Sequence, residues 1–317
     1  MPKLPITAPD PTLVAADAAL VAGQDRYKRK YLGMSAIGDP CERKLWYSFR
    51  HAKTSSFDAV TLKRFEDGHR TEDLLIARLS KVDGLEIHDR DHNNPSRQIG
   101  VSDFGGHFSG HLDFVVQGLI QAPKTWHVGE VKCSEKWTDI AKFKASVGEK
   151  NTLLKFSETY YGQAQCYMHY LGLERHWTVV ASPGGRQWDA CRTDYDPAHA
   201  MRLRAKAERV IFGSEAPARI GGPTDYRCRW CDYHAICHER ELPERACRGC
   251  IHATALREGG WKCEAGHAFG TVCGDHRYVP SMLNGEQTDV RGGNVVYRFR
   301  KDDGGEYVDE GTTTAIG

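Results

Sequence analysis

Cysteine spacing constrains the fold of this chain more than any other feature of its sequence. Of eleven cysteines in 317 residues, seven crowd into the carboxy-terminal third. They are Cys228, Cys231 and Cys237 in a first group, and Cys247, Cys250, Cys263 and Cys273, followed by His276, in a second. This cysteine content is well below that of disulfide-stapled secreted domains. In a reducing compartment, thiols at such short spacings more often bind metal than pair with each other, so we expect two metal-binding segments.

The second group has the form of a zinc ribbon or knuckle, in which a Cys-x2-Cys pair is followed by two later ligands. Cys247, Cys250, Cys263, Cys273 and His276 supply five candidates for four positions. Glycines between them suit the tight turns that surround an ion. We therefore predict a small zinc module over residues 241–285, followed by a hairpin and polar tail over 286–317.

The first group supplies only three thiols, whereas a tetrahedral ion or a [4Fe-4S] cluster requires four ligands. His234 or His238 would complete a zinc site, and a remote cysteine would complete either kind of centre. The leftover thiols lie in or near predicted core elements, where cysteine acts as a small apolar residue. They are Cys133, Cys166 and Cys191.

Composition and charge exclude several classes of protein. With 40% hydrophobic and 27% charged residues, the chain reads as globular rather than disordered or fibrous. No apolar run approaches the roughly 20 residues of a membrane helix, and the amino terminus lacks the pattern of a signal peptide, so we expect a cytoplasmic protein. Residues 1–25 are expected to be a flexible lead-in. The net charge of +1 hides a basic segment at 26–53, which has eight Lys or Arg against two acids.

Periodicity predicts a mixed α/β fold with a central sheet flanked by helices. The predicted helices are Cys41–Arg50, Ala59–Val82, Glu158–Leu171 and Pro197–Phe212. The predicted strands are Leu85–Ile87, Gly106–Val116, Trp126–Cys133 and His176–Ala181. Alternation in Val295–Arg300 suggests the hairpin of the tail.

Two central strands carry the strongest catalytic signal. Asp113 lies on the first, and Glu130 and Lys132 lie on the second, where a side-chain period of two places them on one face. Paired carboxylates suit Mg²⁺ or Mn²⁺, and a neighbouring lysine would stabilise charge on a scissile phosphate. A Glu-x-Lys tripeptide alone is as often a solvated strand face with an ion pair.

Nearby residues strengthen the catalytic interpretation. Glu72 follows Gly68 by four residues and offers a third carboxylate from a helix, with His69 as a competing candidate. Gln163 and Tyr167 stand at i and i+4, on one face of the next long helix, and Gln165 competes with Gln163.

In this order, the segments resemble the PD-(D/E)xK nucleases, and within them the RecB-like exonucleases that include CRISPR-associated and phage-recombination members. The resemblance covers residues 31–240: YLGMSAIGDPCERKLWY, Gly68-x3-Glu72, Asp113, Glu130-Val-Lys132 and Gln163-x3-Tyr167. It implies a restriction-endonuclease-like core over residues 26–240. Many RecB-like members carry His where Glu72 stands. The roles implied are metal ligation by Glu72, Asp113 and Glu130, catalysis by Lys132, and support near the DNA backbone by Gln163 and Tyr167.

The resemblance also implies a fourth ligand for the first cysteine group. Cys41 stands just before the first helix, as the lone first cysteine does in the iron–sulfur members, so a [4Fe-4S] cluster would be bound by Cys41, Cys228, Cys231 and Cys237. Zinc at the same thiols is the alternative.

The function implied is a Mg²⁺- or Mn²⁺-dependent DNA nuclease, an exonuclease on ends or single strands in phage or prophage recombination, replication or repair. The gene would be phage- or prophage-borne, with the protein in the host cytoplasm. No P-loop motif occurs, so a helicase partner would supply unwinding, and a single-strand annealing protein is a second expected partner. A non-catalytic DNA-binding or assembly subunit and a structure-specific endonuclease are the rival hypotheses.

Aromatic residues could offer stacking surfaces for single-stranded bases. Each one alone is more often part of a core. Trp137, which stands among lysines, is the best candidate for DNA contact. The other candidates are Trp46, Trp126, Tyr160, Tyr161 and Trp230.

Overall fold

The computed structural model describes residues 9–25, 28–291, 294–299 and 305–311. Its helices are α1 (Pro11–Ala22), α2 (Glu42–Phe49), α3 (Ala59–Leu79), α4 (Asp139–Val147), α5 (Thr152–Phe156), α6 (Glu158–Leu171), α7 (Pro197–Phe212), α8 (Tyr226–Arg229) and α9 (His234–His238). None of these helices has the length and apolar character needed to cross a lipid bilayer.

The strands form one large sheet and three small ones. They are β1 (Leu32–Gly33), β2 (Glu86–His88), β3 (Gly100–Asp103), β4 (Phe108–His111), β5 (Phe114–Gln117), β6 (His127–Cys133), β7 (Arg175–Ala181), β8 (Trp188–Asp194), β9 (Ala253–Ala255), β10 (Trp261–Cys263), β11 (Gly285–Arg291), β12 (Asn294–Phe299) and β13 (Glu306–Asp309). The central sheet has the order β2-β5-β6-β7-β8, and the small sheets are β1-β4-β3, β10-β9 and β11-β12-β13.

The central sheet is mixed, because β6 and β7 are parallel while its other neighbouring strands are antiparallel. Helix α3 covers one face, where Leu75 packs with Val131 and Val179. Helix α6 covers the other face, where Ala164 packs with Val180. Successive residues of β6 point to opposite faces, and residues 127–131 are all buried, so both faces are covered along this part of the strand. The predicted mixed α/β class, with a central sheet flanked by helices, is confirmed.

One predicted strand is wrong. Residues 106–116 form two strands: β4 pairs with β1 and β3, whereas β5 joins the central sheet. The chain leaves one sheet for the other at Leu112 and Asp113. β-propensity is continuous over residues 106–116, so it could not reveal this change of pairing partners. As a result of the change, Asp113 lies just before β5 rather than inside a strand.

Helix α1 lies within the segment expected to be a flexible lead-in. The Asp10 carboxylate caps it by accepting hydrogen bonds from the Thr12 and Leu13 N–H groups, at 2.8 and 3.2 Å. No residue of the helix is buried. It therefore needs no apolar stripe, and periodicity alone does not predict it.

The carboxy-terminal segment contains the hairpin that the alternation suggests. Strands β11 and β12 pair antiparallel, and β13 adds a third strand beside β12. Arg300 and the last six residues of the predicted tail lie outside the described residues.

Part of the positive charge in the basic segment at 26–53 is used within the fold. Arg43 and Arg50 are buried, and their guanidinium groups donate to the carbonyls of Pro217 and Gly213, at 2.9 and 2.8 Å. These bonds tie helix α2 to the loop after α7. The sequence count of positive charge therefore overstates what this segment offers to solvent.

Candidate active site

Strand pairing brings the first two carboxylates together. Asp113 precedes β5, which pairs with β6, and Asp113 Oδ2 accepts a hydrogen bond of 2.7 Å from the Val131 N–H in β6. The neighbouring residue Glu130 is 4% exposed, and Asp113 is 8% exposed. Two carboxylates therefore lie buried at one end of the β5–β6 pair.

Lys132 and Gln163 close around Glu130. The Lys132 ammonium donates to Glu130 Oε1 and, over 3.2 Å, to Gln163 Oε1. The Gln163 amide donates to the same Glu130 oxygen at 2.9 Å. The Lys132 ammonium also lies 4.7 Å from the centre of the Tyr160 ring, a cation–π contact that the sequence analysis did not assign.

Helix α6 positions Gln163 and Tyr167 one turn apart. The Tyr167 hydroxyl accepts from the Gln163 amide at 3.3 Å and donates to the His111 carbonyl at 2.7 Å. A Cβ at Gly110 would lie 2.6 Å from the Tyr167 ring, so only glycine permits this approach. Gln165 faces away from the carboxylates, because its side chain bonds to the backbone of Asp194 and Asp196.

Glu72 approaches the carboxylates from α3 and carries a partner that the sequence analysis missed. The Gln98 side-chain amide donates to Glu72 Oε1 over 3.0 Å. Both residues line an open cavity of about 380 Å³, which is shared with His69, Asp73, Arg90 and Ser96. His69 therefore lies beside Glu72. Gln98 belongs to a polar loop without a recognisable motif, so no sequence signal identified it.

Electrostatics couple the three carboxylates. Burial, together with the Glu130 charge, raises the pKa of Asp113 well above its usual range. Burial raises the pKa of Glu72 as well, with Glu130 and Asp73 adding to the effect. Burial opposes the charge on Lys132, but the Glu130 and Asp113 carboxylates outweigh it, and the pKa of Lys132 is raised. The site therefore keeps its lysine charged and would gain from additional positive charge.

The donor set is that of a hard divalent cation. Glu130 Oε2 is buried without a hydrogen-bond partner among the described residues, and a buried oxygen of this kind normally has one. As the side chains stand, no three His, Cys, Asp or Glu groups of the described residues are arranged to hold an ion. In this cluster, Lys132 and Gln163 already occupy the other Glu130 oxygen. The residues fit Mg²⁺ or Mn²⁺ by chemistry and by the unpartnered oxygen.

The first cysteine group converges with Cys41. All four thiols, Cys41, Cys228, Cys231 and Cys237, line one cavity of about 120 Å³. Cys41 caps α2, where its sulfur accepts a hydrogen bond from the Lys44 N–H over 3.4 Å. The cavity has several times the volume that a single water or ion needs. His234, a candidate zinc ligand, bonds through Nε2 to the Pro223 carbonyl at 3.0 Å.

The second cysteine group also converges, around a cavity of only about 20 Å³, which is lined by Cys247, Cys250, Cys263, Cys273 and His276. His276 has both ring nitrogens engaged, with an Arg245 guanidinium nitrogen at 2.9 Å and the Ala246 carbonyl at 3.1 Å. The four cysteine thiols are therefore more available than His276 to bind a metal ion.

The segment between these ligands lacks a core of its own. None of the residues 251–275 is buried. It rests on the rest of the chain instead: Trp261 lies 5.3 Å from the Phe49 ring, and the Leu256 carbonyl bonds to His107 over 3.0 Å. A segment without a core of its own depends on such contacts, or on cross-links, for its order.

Comparison with known proteins yields only distant structural similarity. No protein-family model and no curated protein matches the sequence. The alkaline exonuclease LHK-Exo of Laribacter hongkongensis is 18% identical, with a TM-score of 0.38, over 61% of this chain and 90% of its own. Its complex with dAMP gives 17% identity and a TM-score of 0.39, over 62% and 89%. A phage-related exonuclease from Haemophilus somnus 129PT is 14% identical, with a TM-score of 0.37, over 58% and 92%.

Proposed function

We propose that this protein is a metal-dependent DNA nuclease that hydrolyses phosphodiester bonds, acting as an exonuclease on ends or single strands. One observation carries the proposal: buried Glu130 is bonded by Lys132 and Gln163 and lies beside Asp113, while its second oxygen has no partner among the described residues. A solvated strand face would leave the Glu130–Lys132 pair exposed. Burial of this charged cluster is instead typical of a catalytic site.

Glu72, Asp113 and Glu130 would hold the Mg²⁺ or Mn²⁺ ion. When bound, the ion would supply a nucleophilic water of lowered pKa and neutralise charge on the scissile phosphate. The Lys132 ammonium, held by Glu130 and Gln163, is positioned to orient the attacking water and to stabilise the developing negative charge. Tyr167 and the Gln163 amide fix the orientation of Glu130 and the adjacent backbone.

An iron–sulfur cluster at Cys41, Cys228, Cys231 and Cys237 is the second part of the proposal. The size of the cavity supports a cluster rather than a single ion. Four cationic side chains line the cavity against one acid, Asp39, and this surrounding charge suits an anionic thiolate centre. They are Arg43, Lys44, Arg219 and Arg227. The cluster would join the start of the nuclease core to the loop that follows it.

A structural zinc ion at Cys247, Cys250, Cys263 and Cys273 is the third part. The small cavity and the exposure of residues 251–275 support it. The bonds already made by His276 favour the four thiols over a set that includes this histidine.

The setting we propose is phage or prophage recombination, replication or repair in the cytoplasm of the host. This setting is what the resemblance of residues 31–240 to the RecB-like exonucleases implies. A helicase or a single-strand annealing protein would be the natural partner, because the chain has no nucleotide-binding P-loop motif of its own.

The deciding experiment compares Lys132→Ala with Lys136→Ala on end-labelled DNA in Mg²⁺ or Mn²⁺. Lys136 is exposed and four residues away, so it controls for lost positive charge. Lys132→Ala should lose at least about 100-fold in cleavage rate, as expected for removal of one transition-state contact, and Lys136→Ala should retain it. Full cleavage activity of the Lys132→Ala variant would refute the proposed active site.

Two further substrates separate the rival functions. Closed circular DNA is cut by an endonuclease but resists an exonuclease. Wild-type protein that binds DNA with strong salt dependence, yet leaves every substrate intact in both metals, would instead be a DNA-binding or assembly subunit.

A further inference from the structure

Two aromatic side chains stand out from the surface beside the first cysteine group. Trp230 is 84% exposed and Tyr226 is 81% exposed, whereas the next most exposed aromatic residues of the described chain, Phe65 and Trp188, reach 45%. Trp137, the aromatic residue that the sequence favoured for DNA contact, is half-buried and packs against the core beside Ile140. The structure therefore exposes Tyr226 and Trp230, and not Trp137, which the sequence favoured.

The two rings share one short element and are separated by a single turn. Tyr226 begins α8 and Trp230 follows its last residue, so the side chains stand four positions apart. An exposed aromatic side chain contributes little hydrophobic stabilisation to the fold, because it stays in water. Two such side chains together mark a binding surface. Cysteines of the same loop line the neighbouring cavity, so a bound cluster would hold this element rigidly.

Each ring carries an arginine. The Arg229 guanidinium carbon lies 5.5 Å from the centre of the Trp230 ring, and that of Arg227 lies 5.7 Å from the Tyr226 ring. Arg227 is paired with Asp225, whereas Arg229 has no ion-pair partner among the described residues. Arg229 therefore offers a charge beside an open ring face.

The surroundings favour nucleic acid over protein as the occupant. The positive charge beside the rings is that of Arg229, which is exposed and has no ion-pair partner among the described residues. The large exposed aliphatic residues of the described chain lie outside the lining of the cavity that adjoins Trp230. A protein interface would offer an apolar core, whereas single strands bind to aromatic platforms flanked by positive charge. Duplex bases are stacked already, so exposed rings discriminate in favour of single strands.

We propose that Tyr226 and Trp230 form a stacking platform for single-stranded DNA, with Arg229 contacting the phosphate backbone. This inference rests on the proposed nuclease function and specifies part of its substrate, a single-stranded segment that extends beyond the catalytic carboxylates. Two adjacent bases would stack on the two rings.

The test is binding of a fluorescent oligothymidine of about 20 nucleotides, longer than one typical single-strand site, measured by anisotropy without Mg²⁺ or Mn²⁺, so that the DNA is not cleaved. Trp230→Ala and Tyr226→Ala should each weaken binding about 10-fold, and the double variant about 100-fold, as stacking energies of this size predict. Trp188→Ala is the matched control, because Trp188 is half-exposed and carries an arginine, Arg78, at 5.5 Å from its ring. It should bind as wild type does.

Duplex DNA of the same length should lose less than about twofold in affinity in the double variant, since its bases are not free to stack. Unchanged single-strand binding by the double variant would overturn the platform and assign the surface to a protein partner. Wild-type protein that does not bind single-stranded DNA would also overturn the platform. If that protein still cleaves duplex ends, the proposed nuclease function stands. Conversely, the expected binding losses without any nuclease activity would support the platform and refute the proposed function.

Discussion

The side-chain amide of Gln98 donates a hydrogen bond of 3.0 Å to Glu72 Oε1, and so joins the loop between β2 and β3 to the middle of helix α3. Glu72 is the proposed carboxylate that lies outside the central sheet. Its orientation toward Asp113 and Glu130 therefore depends on α3 and on this bond. In the proposed site, Gln98 would therefore position Glu72 rather than bind the metal itself.

Gln98→Ala should lower the cleavage rate about 10-fold to 100-fold, the usual cost of removing a partner that orients a metal ligand. The loss should shrink as Mn²⁺ or Mg²⁺ is raised, because the variant weakens ion binding, and a merely structural defect would not respond in this way. Gln287→Ala, at an exposed position of β11, is the control. A metal-independent loss would refute the positioning role.

Asp113→Asn should separate activity from stability. Cleavage should fall at least about 100-fold, because a carboxylate ligand is lost. The pKa of Asp113 is raised by burial and by Glu130, so the charged form disfavours folding. This cost is absent below the unfolded pKa of about 3.9 and appears as the pH rises through the higher folded value.

The metal-free Asp113→Asn protein should therefore melt at a higher temperature than wild type at pH values above the folded pKa of Asp113. Calorimetry in EDTA measures the difference. A lower melting temperature, together with lost activity, would mean that Asp113 serves the fold and not catalysis.

His176 should make the free energy of unfolding depend on pH. Burial, with the nearby Lys132 and His127 charges, lowers its pKa to about 3, and His176 Nε2 is buried without a partner among the described residues. The unfolded residue takes up a proton near pH 6.5, so stability is fully present above that pH and is lost as the pH falls toward the folded value.

Between pH 7 and 5, this histidine alone should remove about 2 kcal/mol of unfolding free energy. The free energy of unfolding of His176→Leu, measured by urea titration, should fall by about that much less between pH 7 and 5, whatever its value at pH 7. Equal losses in the two proteins would show that His176 is protonated in the folded state.

The second cysteine group should bind about one zinc ion per chain through its four thiols. Cys263→Ser should lose that zinc and melt about 5 °C or more lower, since loss of a structural metal costs several kcal/mol. His276→Gln should retain the zinc, because its ring nitrogens are bonded to Arg245 and Ala246. Elemental analysis checks both variants, with Cys133→Ser as a thiol control, and zinc loss in His276→Gln alone would reverse the assignment.

The first cysteine group should give anaerobically purified protein the broad visible absorption of thiolate-ligated iron. Cys41→Ala should abolish this absorption, although Cys41 lies 187 residues before Cys228 in the chain. His234→Ala should keep it, since this histidine is bonded to the Pro223 carbonyl. Purified protein that contains no iron and two zinc ions per chain would refute the cluster and assign a second zinc site to these cysteines.

Sequence reasoning was strongest where one strand or helix contains the whole pattern. Glu130 and Lys132 share one face of β6, and Gln163 and Tyr167 share one face of α6, because alternation and helical periodicity are local properties. Helices α6 and α7 begin and end where periodicity predicts. The break between β4 and β5 was missed, because a change of sheet depends on which distant strands are available for pairing.

By itself, the sequence determined the class of the fold, the order of the candidate catalytic residues and the grouping of the thiols, since each of these follows from spacing along the chain. Only the tertiary structure decided what depends on distant neighbours. It buried Arg43 and Arg50, exposed Trp230 instead of Trp137, engaged His276 elsewhere and brought Gln98 to Glu72. Burial and hydrogen-bond partners arise from packing between elements far apart in sequence, and no local pattern records them.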